Sequence, residues 1–374
     1  MTQIPQKKAG RPQELPLPPE VRARFQQLQV SRHFSRDPEA VGQILVRAPN
    51  WVGDAVMSLP VLDRLRRLFP LAEITVLAAP RVAPLFAAQP GVVEVIRYPS
   101  GRGKWQILWE MRGRFDVALA LPNSMESALG LWLLGVPSRV GYNTDSRRLF
   151  LKEAISGQRN LAGLRTIFYF LGLLKPLGGV AAFTPPTLCL ETEEEAKGAR
   201  FLEECGHPGQ GPWVGLSPGA AYGPAKRWPP ERFAALGQEL LREFDARLIL
   251  LGGKEERAVA NQVKEHLPGK VIDLVGLTNL REALGLLSQL QLLVTNDSGL
   301  MHAAAALSVP VVALFGSTDP EATGPFTSRA TVIRHPWPCS PCFKRTCEVG
   351  YACLRDISVD EVLAAARDWL KDGA

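Results

Sequence analysis

From Val41 onward the chain alternates short apolar runs with amphipathic segments. GQILVRAP predicts a strand, and DAVMSLPVLDRLRRLF behind it carries apolar positions at helical spacing. EITVLAAP and VVEVIRY predict further strands with the helix VAPLFAAQ between them, and FDVALALPN and SRVGYN flank the helix SALGLWLLG. Strand–helix–strand units repeated in this way call for a parallel sheet with helices on both faces. NLAGLRTIFYFLGLLKPLG predicts one long helix, and the Pro-rich VAAFTPPTLCL after it is the strongest linker signal in the chain. After the helix TEEEAKGARFLEECG the alternation restarts with PWVGLSPG, PPERFAALGQELLREF, ARLILLGG and EERAVANQVKEHL. It continues through VIDLVG, LREALGLLSQL, LLVTND, GLMHAAAAL and VPVVALFG.

The reading is an α/β protein of two facing, Rossmann-like, doubly wound halves. Ligands in such sheets sit beyond the carboxyl ends of the strands, which puts the active site in the cleft between the halves. The expected divisions are an extension over 1–40, a first domain over 41–184, a second over 185–354 and a terminal helix over 355–374. A length of 374 residues gives room for two cores. With 46% apolar and 21% charged residues, disorder and a polytopic membrane protein are excluded. The stretch SGLMHAAAALSVPVVALFGST carries no charged side chain, but Pro310 splits it, so it predicts a buried helix followed by a buried strand. The first forty residues hold seven basic and four acidic side chains and several prolines, which suggests a solvated extension or a basic arm that touches a membrane, helical over 21–30. No apolar segment follows the early charges, so a secretory signal is not expected and a cytoplasmic location is. The net charge of +6 suits an anionic substrate or membrane headgroups. No basic stripe with interleaved aromatics stands out to suggest nucleic acid.

Three loops carry candidate chemistry. After the first strand, RAPNWVGD lacks the G-x-G-x-x-G of a dinucleotide site but places Asp54 just before a helix, as an N-cap or as a general base facing the cleft. SPGAAYGPAKRWP brings Lys226 and Arg227 to a loop of small residues, either a cradle for a pyrophosphate or a plain connection. VTNDSGLMH predicts a helix starting near Ser298 or Gly299, whose amino terminus attracts negative charge. There Asp297 is able to accept sugar hydroxyls, and His302 falls one turn on, with a cap and a core histidine as the alternative. No D-x-D occurs, so a diphosphate leaving group would be neutralised by a cationic loop and helix termini, with no cofactor required for catalysis. Separately, Cys339, Cys342, Cys347 and Cys353 fall within fifteen residues. In a cytosolic chain this clustering suggests a structural zinc or iron site, with free or partly oxidised thiols as the alternative.

The blocks ILVRAPNWVGDAVMSLPVL, DVALALPNSMESAL, RVGYNTDSR, SPGAAYGPAKRWP and LVTNDSGLMHAAAALSVPVVALFG, in this order, resemble glycosyltransferase family 9, the heptosyltransferases of the lipopolysaccharide inner core. The resemblance implies a GT-B type fold with an acceptor-binding amino half and a donor-binding carboxyl half. It implies inverting transfer of heptose from ADP-heptose to a heptosyl-Kdo-lipid A acceptor, by an enzyme peripheral at the cytoplasmic face of the inner membrane. Asp54 takes the place of the general base. Lys226 matches the cation at the donor diphosphate, and Asp297, Ser298, Gly299 and His302 match the donor loop, with Asp297 toward the sugar. Glu255 is expected at the adenosine ribose, with Glu256 equally placed. Asn123 and Ser124 are expected on the acceptor side, with Arg102, Lys104, Arg112, Arg114, Arg139, Arg147 and Arg148 as basic neighbours. Alternatives are a family 9 transferase with another donor or acceptor, and a non-catalytic nucleotide-sugar-binding protein. The first forty residues and the cysteine segment exceed what the resemblance explains.

Overall fold

The computed structural model describes residues 13–371 except 102, 207, 208 and 268. Its amino lobe is a seven-stranded sheet. In chain order the strands are β1 (Gln29–Val30), β2 (Gln43–Arg47), β3 (Glu73–Ala78), β4 (Val92–Arg97), β5 (Val117–Ala120), β6 (Ser138–Tyr142) and β7 (Glu153–Ser156). Their spatial order is β1-β7-β6-β5-β2-β3-β4, all parallel except the short edge strand β1. The carboxyl lobe is a six-stranded, wholly parallel sheet of β8 (Trp213–Ser217), β9 (Arg247–Leu250), β10 (Ile272–Asp273), β11 (Leu292–Asn296), β12 (Val311–Phe315) and β13 (Ala330–Arg334), ordered β10-β9-β8-β11-β12-β13. Central strands such as β2, β5, β11 and β12 are almost wholly buried, which is why they read as continuous apolar runs. Both sheets reverse strand order at a central strand, β2 and β8, and the carboxyl ends beside these strands are where a ligand crevice opens.

The helices are α1 (Pro19–Gln26), α2 (Val52–Met57), α3 (Leu59–Leu68), α4 (Gly103–Glu110), α5 (Met125–Leu133), α6 (Thr166–Gly172), α7 (Thr192–Glu204), α8 (Pro230–Phe244), α9 (Arg257–Glu265), α10 (Leu280–Leu287) and α11 (Gly299–Ala306), with a terminal helix Val359–Lys371 on the carboxyl lobe. The charge-free stretch after Asp297 is indeed a buried helix, α11, and a buried strand, β12. No helix among the described residues is long and apolar enough to cross a membrane.

Three expectations change. The helix after β2 is two helices that meet at Ser58, because Pro60 has no N–H to continue the first. The long helix expected over 160–178 shrinks to α6 between the turns Gln158–Leu161 and Lys175–Leu177, with Gly163 and Gly178 at positive φ. VAAFTPPTLCL is more than a linker, since Ala182–Phe183 pairs with Leu15–Pro16.

That last ladder also overturns the solvated extension for residues 13–40; residues 1–12 lie outside the described residues. Leu17, Val21, Phe25 and Leu28 are buried in the amino-lobe core, and β1 completes its sheet edge. The Lys175 ammonium caps the end of α1 by donating to the carbonyls of Phe25 (2.7 Å) and Gln26 (3.0 Å). The same apolar cluster continues into the carboxyl lobe through edge-on contacts of Phe168 and Phe183 with Phe326. Leu17→Ala should therefore cost about 2–5 kcal/mol of stability, whereas Arg22→Ala on the exposed side of α1 should stay within about 0.5 kcal/mol. Equal denaturation midpoints for the two variants would return this segment to solvent.

Candidate active site

The amino lobe contributes the turn from β2 into α2. Arg47, buried at the strand's end, donates to Asn50 Oδ1 (2.9 Å) and stacks on Tyr98, while Arg81 donates to the Asn50 carbonyl (2.7 Å) and lies over the Trp51 ring. These two guanidiniums fix the loop that launches α2. Asp54 is the third residue of that helix, and Trp51 occupies the N-cap position, so Asp54 is not a cap. Burial pushes its carboxyl above the usual range; Lys226 partly offsets this, and Asp297 adds to it. Both of those neighbours belong to the other lobe, so Asp54 faces across the interface.

The carboxyl lobe answers with Lys226, at the end of the turn Pro224–Lys226, and Asp297, just after β11. The Lys226 ammonium donates to Asp297 Oδ2 and packs 4.8 Å from the Tyr222 ring centroid. Thr318 donates to the same Oδ2 at 2.6 Å. Asp297 is only 5% exposed and spends Oδ2 on protein, so its first task here is to hold Lys226. Asn296 locks the loops together: its amide donates to the Pro218 carbonyl (2.8 Å), and its Oδ1 accepts from the Trp228 N–H (2.9 Å). Neither Asn296 nor Thr318 stood out in the sequence. For Asn296 the available signal was a polar side chain ending an apolar strand.

α11 begins where expected. Ser298 is its N-cap and accepts from the Met301 N–H. His302, expected in the donor loop, lies one turn along α11. Its imidazole is fully buried against α2, and burial brings its pKa down to about 4, so it is neutral at physiological pH. The reason is close helix packing. A Cβ on Gly53 would come within 2.8 Å of the His302 ring, and one on Gly299 within 2.7 Å of Val52 Cβ. Only glycine on each side lets α2 and α11 touch.

Glu255 and Glu256 follow β9. Glu255 is exposed, whereas Glu256 tucks between the loops after β8 and β9, where a Cβ on Gly219 would collide with its carboxyl. Glu256 accepts from the Gly253 N–H (2.7 Å), and burial raises its pKa against the pull of that bond and of Arg227.

On the acceptor side, Asn123 donates to the Tyr169 hydroxyl (2.5 Å), and Ser124 caps α5. Arg147, expected as a basic neighbour on the acceptor side, is completely buried. It donates to the carbonyls of Tyr142 and Pro122 (2.6 Å each) and to Asn123 Oδ1 (3.1 Å), and burial lowers its pKa to about 10. It is a clamp that sets the Asn123–Ser124 turn. Arg102 lies outside the described residues.

The four clustered cysteines line one small cavity, yet all are free thiols. Cys347 Sγ accepts from the Tyr351 N–H (3.2 Å), and burial followed by the neighbouring thiols raises the Cys353 pKa, which favours the protonated form. Among the described residues no group of three or more His, Cys, Asp or Glu is arranged to hold a metal ion, so the zinc or iron expected there has no support.

Two parallel-sheet lobes that meet over a carboxylate and a lysine, with a helix amino terminus between them, define a GT-B type glycosyltransferase. The family comparison agrees: residues 105–352 match the model of glycosyltransferase family 9 (heptosyltransferase), and the chain belongs to that family. It is 33% identical over 305 residues to lipooligosaccharide heptosyltransferase 2 of Haemophilus influenzae, covering 78% of this chain and 88% of that one. It is 34% identical over 315 residues to lipopolysaccharide heptosyltransferase 2 of Escherichia coli K12, with the same coverage. The solved E. coli ADP-heptose lps heptosyltransferase II superposes with a TM-score of 0.72 at 31% identity, covering 89% of this chain and all of that one.

Because α2 and α11 touch through glycine, Gly299→Ala should force them apart. Both turnover and melting temperature should fall, although alanine is ordinarily the better helix residue. A variant with unaltered turnover and melting would show that the close approach is dispensable.

Proposed function

We propose that this enzyme transfers heptose from ADP-heptose, with inversion, onto a heptose of the lipopolysaccharide inner core. The observation that carries this reading is Asp54 facing Lys226 and Asp297 across the lobe interface. The names borne by relatives one-third identical to the chain support the donor and acceptor classes. In this reading the amino lobe, to about residue 184, takes the acceptor, and the carboxyl lobe takes the donor. The acceptor is lipid-linked, which places the enzyme at the cytoplasmic face of the inner membrane.

Asp54 removes the proton from the acceptor hydroxyl as it attacks the anomeric carbon opposite the leaving ADP. Its raised pKa makes it a better base than an ordinary aspartate. Lys226 meets the diphosphate. An ammonium has three donors, so it can keep Asp297 and still give one to a phosphate oxygen. The amino terminus of α11, with Ser298 and Gly299, adds backbone N–H groups and a favourable dipole. Asp297 positions Lys226 through Oδ2, with Oδ1 left for a sugar hydroxyl. At the ribose, burial favours Glu256 over Glu255. Asn123 and Ser124, fixed by Arg147, line the acceptor mouth.

Asp54→Asn should lower turnover by ~10²–10⁴-fold while calorimetry shows ADP binding retained. Near-normal turnover would remove Asp54 from the role. Lys226 favours the ionised form of Asp54, so Lys226→Met should move the acid limb of the rate profile to higher pH, as well as weakening ADP binding. A limb that stays in place would mean the two groups do not sense each other during turnover. Glu256→Ala should weaken ADP binding more than Glu255→Ala does; the reverse order would restore Glu255 at the ribose. The decisive assay of the whole reading is mass spectrometry of mono-heptosylated core glycolipid, which should gain one heptose from ADP-heptose.

A further inference from the structure

The amino lobe leaves an unusual set of large apolar side chains in solvent. Trp109 is 71% exposed and Leu149 82%, with Trp105 and Trp132 also exposed. Buried cores normally claim tryptophan, and an exposed apolar patch of this kind marks a contact surface.

These side chains form one continuous face. Arg112 lies 5.4 Å from the Trp109 ring centroid, and Arg112, Trp132 and Arg139 line a shared depression of about 350 Å³. Trp132 meets Phe150 edge-on at 5.9 Å, and Arg139 donates to the Phe150 carbonyl at 2.7 Å, which brings in the turn holding Arg148 and Leu149. At the other end, Lys104 joins α4 to α5 through Glu126 (2.7 Å) and lies over Trp105. Cations are thus interleaved with the indoles. The exposed Arg112 and Arg148, with the partly buried Lys104 and Arg139, still outnumber the acidic Glu110, Glu126 and Asp145.

We propose that this face of α4, α5 and the turn Arg147–Phe150 docks the enzyme on an anionic lipid bilayer. Indoles settle at the headgroup level, where an apolar ring and a polar N–H are both satisfied. Flanking Arg and Lys meet lipid phosphates. A helix surface that carries tryptophan and cations side by side matches that interface in both polarity and charge. The face also leads to the site: α5 starts at Met125, itself 39% exposed, directly after Asn123 and Ser124. A lipid-borne acceptor held at the membrane would therefore present its sugars to the acceptor mouth. This step rests on the proposed lipid-linked acceptor, but binding to vesicles does not require it.

The test is flotation of the purified full chain with vesicles of phosphatidylcholine, with and without phosphatidylglycerol. The protein should float with the anionic vesicles and be released by high salt. Each cation removed in Arg112→Ala/Arg148→Ala should lower vesicle affinity about fivefold, and Trp109→Ser/Leu149→Ser should largely abolish flotation. Trp109 and Leu149 are exposed and have no role in the site. Turnover of Trp109→Ser/Leu149→Ser on a delipidated, water-soluble acceptor should therefore be unchanged, while its turnover on vesicle-embedded acceptor falls. Failure of the native chain to float with anionic vesicles, or variants that float as well as it does, would overturn the docking surface. Absence of heptose transfer to the soluble acceptor would instead count against the catalytic reading, whatever the flotation result.

Discussion

The contact between α2 and α11 is the constraint on which the rest of the molecule depends. Each helix follows the carboxyl end of a central strand, β2 or β11, in a different lobe. They touch because Gly53 meets the His302 ring and Gly299 meets Val52 with no Cβ between. That approach leaves Asp54 only partly exposed and brings it within electrostatic reach of Lys226 and Asp297. Two carboxylates around one ammonium would be a poor arrangement if all three were equally free. Here Thr318 and Lys226 hold Asp297, whereas no hydrogen bond or ion pair among the described residues engages the Asp54 carboxylate. Its burial is costly, and a basic group with nothing else to bind is what proton abstraction needs.

The neutral state of His302 belongs to the same logic. A second cation beside Lys226 would stabilise the Asp54 carboxylate and weaken it as a base. Burial against α2 holds the imidazole pKa at about 4, so His302 fills space between the lobes without adding charge. Arg147 plays a comparable part on the other side. Its buried guanidinium is met by carbonyl and amide oxygens of the Tyr142, Pro122 and Asn123 region, so that its donors fix a loop while its charge remains uncancelled by a carboxylate in contact.

The two-sheet plan was legible because parallel strands buried on both faces appear as apolar runs at regular intervals, and the order of those runs survives folding. The loops holding Asp54, Lys226 and Asp297 were legible too, since charge at the end of an apolar strand is costly unless used. What sequence could not show was direction. The patterns around His302 and Arg147 are equally consistent with a site-facing and a core-facing side chain, and only tertiary packing decides between them. Local composition also misled over residues 13–40, where prolines and charges suggested solvent while Leu17, Val21 and Phe25 sit at a spacing of four, the period of a buried helical stripe. Clustering of four cysteines likewise spoke of chemistry, but spacing along the chain carries no information on whether three sulfurs converge.

The continuous core bears on how substrates reach the site. Phe168 and Phe183 pack on Phe326, Thr166 donates to the Ala322 carbonyl (3.2 Å), and Arg165 donates to that of Pro325 (3.3 Å). On the far side the Arg281 guanidinium ties α10 to Glu194 of α7 and reaches the Pro84 carbonyl of the amino lobe. Pulling the lobes apart as rigid bodies would expose apolar surface at about 25 cal/mol per Å² and leave these donors unpaired. The α2–α11 contact lies within this tied region. In the proposed reading the nucleotide lies along the loops after β8 and β9 and the acceptor along the start of α5. The reacting atoms would then meet where Asp54 and Lys226 are already in place, in a site preorganised for a transition state that places charge at both ends.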